Sequence, residues 1–193
     1  NEYNLDSPVI TVIRLSIANL AGVPSIIFGL FGLTFFVVFC GFGVSLLSGI
    51  LTLAVLSLPI IINTTETALK QIPQDWREAS LALGATRFET IMKVILPNAL
   101  PGILTGAILA LARAAGETAA VMYTGTVFFT QKDGVSLLEP VMALPYHVYV
   151  MATSGTNIEG TRHLQYGTSL VLVALVFLMS LGAIILRERR RSR

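Results

Sequence analysis

Between Arg14 and Glu66 the chain carries no Asp, Glu, Lys or Arg. That gap is roughly 50 residues long, whereas one membrane-crossing helix needs only about 20 apolar residues. It therefore has room for two spans joined by a tight turn, for which Gly41-Phe42-Gly43 is the natural position. Two further uncharged runs follow, Val94 to Ala112 and Leu164 to Leu186. Charged residues make up 12% of the chain, about half the share of an ordinary soluble domain. Too little polar surface is left to cover a water-soluble fold. The predicted class is an all-α, polytopic transmembrane helix bundle.

The expected spans are 24–41, 44–63, 98–121 and 166–186, in a single membrane domain covering 1–193. Residues 1–22, with Ile10, Ile13, Leu15 and Ile17 around Arg14, read as a short amphipathic or interfacial helix. Glu2, Asp6 and Arg14 break up this region too closely for a signal-peptide core, and the first residue is Asn1. The natural chain is expected to begin upstream. Cys40 has no second cysteine to pair with and reads as a packing residue.

Charge placement predicts sidedness. The 64–97 loop holds Lys70, Arg77, Arg87 and Lys93, and the tail holds Arg187, Arg189, Arg190, Arg191 and Arg193. The 122–165 segment has only Lys132 and Arg162. Basic loops stay in the cytoplasm, and four alternating spans put the 64–97 loop and the tail on the same side. Both are expected to be cytoplasmic, the tail touching anionic membrane lipid.

The 64–97 loop is more than a linker. Pro73 stops what precedes it, and Asp75 with Glu78 three residues later has the spacing of a capping box. Trp76, Ala79, Ser80 and Leu83 then share a face, and Gly84 stands where a helix-ending glycine would. Thr86 and Glu89 form a second capping box, after which Phe88, Ile91, Met92 and Ile95 share a face. Pro97 and Pro101 mark the start of the third span. Two capped helices around a glycine corner suit either a connector on the membrane surface or a seat for a cytoplasmic partner.

Glu78-Ala79-Ser80, then Gly84, then Val94-Ile95-Leu96-Pro97 resembles the EAA loop of ABC-importer permeases. The spacing agrees throughout; Ser80 replaces the second Ala and Val94 the usual Ile. The resemblance implies a coupling helix seated in a cleft of an ATPase subunit, with Glu78, Ala79, Ser80, Gly84, Leu96 and Pro97 as the coupling residues. Asn19 to Ser25, Gly29 to Leu33 and Ala112 to Ala119 are similar to phosphate permeases of the PstA/PstC type. Met142 to Tyr149 and the small residue after Thr118 favour the PstA branch. The implied fold is that of a type I importer permease with six spans, about two of them preceding this chain. The implied partners are a PstC-like second permease subunit, PstB-like ATPase subunits and an external phosphate-binding protein.

Arg113 and Glu117 are the outstanding ionisable residues of the third span. Counted from Pro101 at roughly 1.5 Å per residue, Arg113 falls near the bilayer centre, with Glu117 one turn further on the same face. Intramembrane charges cost several kcal/mol and normally face a bundle interior or a pathway. One reading is an intrahelical ion pair that locks neighbouring helices together. The other uses the guanidinium fork, which matches phosphate oxygens and stays charged, as a transient counter-charge for a passing oxyanion. The resemblance favours Arg113 and Glu117 as pathway residues. His147 and His163 have no Cys or carboxylate at ligand spacing, so no metal site is expected. No G-x-x-x-x-G-K-[ST] phosphate loop occurs. The chain is thus expected to bind no cofactor and to be no enzyme, with ATP used by a partner. A different oxyanion or small solute as cargo, and a channel or scaffold subunit needing no ATPase, stand as alternatives.

Overall fold

The computed structural model describes residues 8–130, 136–154 and 158–191. The described residues form α1 (Pro8–Ala21), α2 (Ser25–Gly32) running into a π-helical stretch (Leu33–Phe39), and α3 (Leu46–Lys70). Next come α4 (Gln74–Ala82), α5 (Arg87–Thr90), a second π-helical stretch (Ile91–Ile95) and α6 (Leu96–Ala115). Helices α7 (Leu144–Thr153) and α8 (Ile158–Arg191) complete the set. Leu46–Lys70, Arg87–Ala115 and Gly160–Gly182 are each long and apolar enough to cross a membrane, and Pro8–Ala21 with Ser25–Phe39 meets the same test as a pair. The chain is an all-α, multi-pass membrane protein.

Helix ends sit where the chemistry permits them. Gly41 and Gly43 have φ of 71° and 66°, left-handed values that a side chain resists, so the predicted turn falls there. The π-helical stretch 91–95 lies just before Pro97. Proline has no N–H for the carbonyl of residue 93, and a wider turn absorbs the missing bond. Asn98 compensates nearby, its Nδ2 donating to the Val94 carbonyl at 2.6 Å. Pro97 and Pro101 therefore lie inside a helical run from Arg87 to Ala115 and do not mark its start.

The described residues divide into two compact units. One comprises the described residues of 8–22, 58–111 and 181–191, the other those of 23–57 and 112–180. In the first, α3 and α6 pack through small residues: a Cβ on Gly106 would collide with Thr64, whose Oγ1 already bonds the Ile60 carbonyl at 2.8 Å. Such close backbone approach through small residues is how helices associate in lipid, where no hydrophobic force drives them together.

The second unit has a polar heart. Ser45, Ser48, Thr52, Thr124 and Thr126 are buried together with Ala120 and Val121. Each hydroxyl satisfies itself locally: Ser48 Oγ on the Gly43 carbonyl at 2.8 Å, Thr52 Oγ1 on the Ser48 carbonyl at 2.8 Å, Thr124 Oγ1 on the Ala120 carbonyl at 3.1 Å. The non-helical segment after α6 is threaded among these residues. Its carbonyl at Thr124 accepts from Ser45 N at 3.0 Å, and a Cβ on Gly29 would meet the Ala119 carbonyl at 2.8 Å. Irregular backbone is tolerated at membrane depth only when protein encloses it, and Gly29, Gly32, Gly49 and Gly125 supply the room here.

Candidate functional site

The α4–α5 hairpin is held by caps at its corner. Leu83 is the C-cap of α4, and Gly84 follows with φ of 86°. Gly84 N donates to the Leu81 carbonyl at 3.0 Å and Ala85 N to the Ser80 carbonyl at 3.2 Å, the two bonds of a Schellman motif. Two residues on, Thr86 caps α5: Glu89 N donates to Thr86 Oγ1 at 3.2 Å and Thr86 N to Glu89 Oε2 at 3.0 Å. Both capping groups thus work reciprocally, as the sequence predicts. The Thr86 donors, with Lys93 Nζ 3.2 Å from Glu89 Oε1, favour the ionised carboxylate and lower its pKa below the ordinary value.

The first predicted capping box is not formed. Pro73 occupies the N-cap of α4, with a φ of −55° typical of its ring and no side-chain bond to the helix. Asp75 lies inside the first turn, where its charge still suits the helix dipole. Glu78 is instead held by Gln74 Nε2 at 3.0 Å, the i,i+4 neighbour on an exposed face. Arg77 Nη2 donates to the Leu69 carbonyl at 2.8 Å and ties α4 to the end of α3.

Each predicted coupling residue has a definite place. Glu78 and Ala79 are exposed, as are Gly84, Leu96 and Pro97. Ser80 is half-buried and exchanges a hydrogen bond with buried Thr90 at 3.0 Å. The serine that departs from the EAA pattern is thereby a strut between the two short helices. Around it the hairpin presents Trp76, Leu83, Phe88 and Met92, with Leu83 90% exposed. The second predicted face is split, because Ile95 is 1% exposed while Phe88 and Met92 point outward. The π-helical turn between them breaks the 3.6-residue register on which that face was drawn.

Arg113 and Glu117 lie in the second unit but not on one helix. Helix α6 ends at Ala115, tightened by bonds from Gly116 N to the Arg113 carbonyl and Glu117 N to the Ala114 carbonyl, both 3.2 Å. Arg113 is exposed in the last turn, where a cation complements the dipole. Glu117 is half-buried and lines a cavity of ≈ 140 Å³ whose other walls include Leu46, Ile50, Leu53, Val121 and Pro145. Among the described residues neither side chain makes an ion pair or hydrogen bond. The intrahelical pair therefore finds no support in the geometry. The buried hydroxyl residues and the irregular 117–125 segment escaped sequence reasoning; the closely spaced Ser45, Ser48 and Thr52 were the available signal. His147 lies outside this region and stacks on Phe128 with ring centroids 4.5 Å apart.

Residues 4–189 match the family described as binding-protein-dependent transport system inner membrane component. A probable ABC transporter permease protein, YqgI of Bacillus subtilis (strain 168), is 36% identical over 193 residues, 94% of this chain and 65% of its own length. The phosphate transport system permease protein PstA of Xylella fastidiosa (strain Temecula1 / ATCC 700964) is 38% identical over 182 residues, covering 94% and 62%. This chain thus spans just under two thirds of the length of these relatives. A chain of the MetNI methionine ABC transporter, solved in inward-facing conformations, superposes with a TM-score of 0.73 at 24% identity, covering 95% of this chain and 76% of that one. The fold is that of an ABC-importer permease, and the chain belongs to the binding-protein-dependent transport system inner membrane component family.

Proposed function

We propose that this chain is a permease subunit of an ATP-binding-cassette importer that carries inorganic phosphate across the cytoplasmic membrane. The observation that carries the proposal is the α4–α5 hairpin, rigid at its corner yet apolar on its outside. Trp76, Leu83, Phe88 and Met92 around exposed Glu78 and Ala79 suit a protein partner better than water. In this reading the hairpin and the tail face the cytoplasm, as their basic residues favour, and an ATPase subunit grips the hairpin. Two PstB-like ATPase subunits, a PstC-like second permease and an external phosphate-binding protein complete the assembly. ATP is consumed by the ATPase subunits.

Phosphate as cargo is supported by the PstA relatives and by the chemistry of Arg113. A guanidinium fork matches phosphate oxygens, and its exposure leaves it accessible to an anion. Glu117, close by in sequence beyond the end of the helix, opposes a lingering anion and favours release, which conduction requires. The test is uptake of labelled phosphate by the complex in proteoliposomes, with ATP and binding protein added or withheld. Uptake that needs both, and that excess sulfate and molybdate leave unchanged, supports the proposal. Uptake suppressed by sulfate or molybdate reassigns the cargo, and uptake independent of ATP removes the importer itself.

A further inference from the structure

Helix α4 contains no buried residue. Arg77 and Ser80 are half-buried, and every other residue of the helix is exposed. Three positions apart, the two share a face. Each is held by a hydrogen bond, and the two bonds run in opposite directions along the chain. Arg77 Nη2 reaches back to the Leu69 carbonyl at 2.8 Å. Ser80 Oγ reaches forward and shares a hydrogen bond with Thr90 Oγ1 at 3.0 Å. Thr90 is 3% exposed and leads directly into the π-helical stretch 91–95 and α6. The Leu69 carbonyl belongs to the last turn of α3, where carbonyls lack helical partners and the dipole is negative. A guanidinium there makes a charge-assisted bond. The backbone holds this joint less firmly, since Pro73 is extended at ψ 141° and caps α4 with no side-chain bond.

We propose that Arg77 and Ser80 are positioning residues for coupling, fixing α4 against the end of α3 and the start of the run into α6, so that a push on the exposed face of α4 turns both helices together. The proposal rests on the reading that an ATPase subunit grips the hairpin. An apolar contact is non-directional and lets one helix slide on another. A hydrogen bond weakens steeply as its angle opens, so one bond toward α3 and one toward α6 set the orientation of α4 between them. Without them the hairpin pivots on its two chain connections, and ATP is hydrolysed without moving cargo. Because no apolar residue is buried in α4, cutting these bonds uncovers no core, and the chain still folds and inserts.

The experiment measures ATP hydrolysed per labelled phosphate taken up by the complete transporter in proteoliposomes, or per competing oxyanion if that is what it carries. The affinity of the permease for its ATPase subunit is measured alongside. Arg77→Met keeps an unbranched stem and removes the donors. It is expected to bind the ATPase subunit normally and to raise the ratio about tenfold, the population change for losing a hydrogen bond from an ionised donor. Arg77→Lys, which still carries a donor, recovers part of the coupling. Ser80→Ala raises the ratio about fivefold, as for a neutral bond, and the Arg77→Met, Ser80→Ala double variant raises it further than either. An unchanged ratio in Arg77→Met with ATPase binding intact overturns the proposal and leaves the grip standing. So does a fall in yield, melting temperature and ATPase affinity in step with uptake that lysine does not relieve, which would make Arg77 a folding residue only. Leu83→Asp, on the exposed corner, separates the two readings. It is expected to weaken ATPase binding; normal binding removes the grip on the hairpin and this proposal with it.

Discussion

Gly84→Ala is the sharpest probe of the hairpin, because its cost is purely conformational. A Cβ at this position meets nothing within 4 Å, so no collision contributes. The backbone, however, sits at φ 86°, where a Cβ crowds the following carbonyl at a cost of about 1–2 kcal/mol. Stiffening of the unfolded chain by alanine returns about 0.4–1 kcal/mol. The net loss is roughly 1 kcal/mol, about fivefold in the population of the closed Schellman corner. Gly84→Asn should lose less, since asparagine enters the left-handed region more readily, and Gly84→Val more, since its branched Cβ is crowded there. The assay is amide hydrogen exchange at residues 84 and 85, which donate to the Leu81 and Ser80 carbonyls, alongside the affinity of the permease for its ATPase subunit. Protection should fall in the order Gly, Asn, Ala, Val, with ATPase affinity falling in parallel. Identical behaviour of the Ala and Asn variants would refute the left-handed corner. Loss of protection with unchanged ATPase affinity would separate the corner from coupling.

Arg113→Ala should abolish phosphate uptake while the complex still assembles, and Arg113→Lys should restore only part of it, as a point charge lacks the planar fork; normal uptake by the Ala variant removes Arg113 from the pathway. Gly106→Val should lower the yield and melting temperature of the folded permease, because its side chain would occupy the space of Thr64; overpacking of this kind costs about 1–3 kcal/mol, and Thr64→Ala should recover part of the loss. The Glu89 carboxylate titrates below its ordinary value when folded. Its contribution to the α5 cap is therefore complete above the unfolded-state value and is lost as pH falls through the lower folded-state one. Exchange protection at Glu89 should accordingly drop on acidification, and Glu89→Gln should flatten that dependence.

The membrane class, the long spans and the hairpin corner were legible because each rests on local chemistry. A charge-free run admits few environments, Gly84 admits the left-handed turn, and Thr86 with Glu89 satisfies two orphan amides whatever surrounds them. The parts that were not legible depend on what the chain meets. Asp75 has the right spacing for a cap, yet Pro73 fixes the chain direction two residues earlier and takes the position. Glu117 was placed one turn beyond Arg113 on the assumption of an unbroken helix. The backbone instead leaves α6 at Ala115 and runs through the buried hydroxyls of the second unit, over glycines that make room for it. No periodicity announces that departure, since Ala119, Ala120, Val121 and Met122 within the segment are residues a helix would also carry. The π-helical turn before Pro97 similarly rotates Ile95 inward and Met92 outward, which a fixed 3.6-residue count cannot anticipate.

The central claim is that the α4–α5 hairpin transmits the push of an ATPase into the membrane helices. A cysteine placed at Leu83, the most open residue of the corner, tests it when joined by a reducible cross-linker to the ATPase subunit in the assembled transporter. Efficient cross-linking is expected, with phosphate uptake that stops while the link is intact and recovers on reduction. A cysteine at Leu83 that links to no ATPase and reacts only with an impermeant reagent added from outside the cell would contradict it.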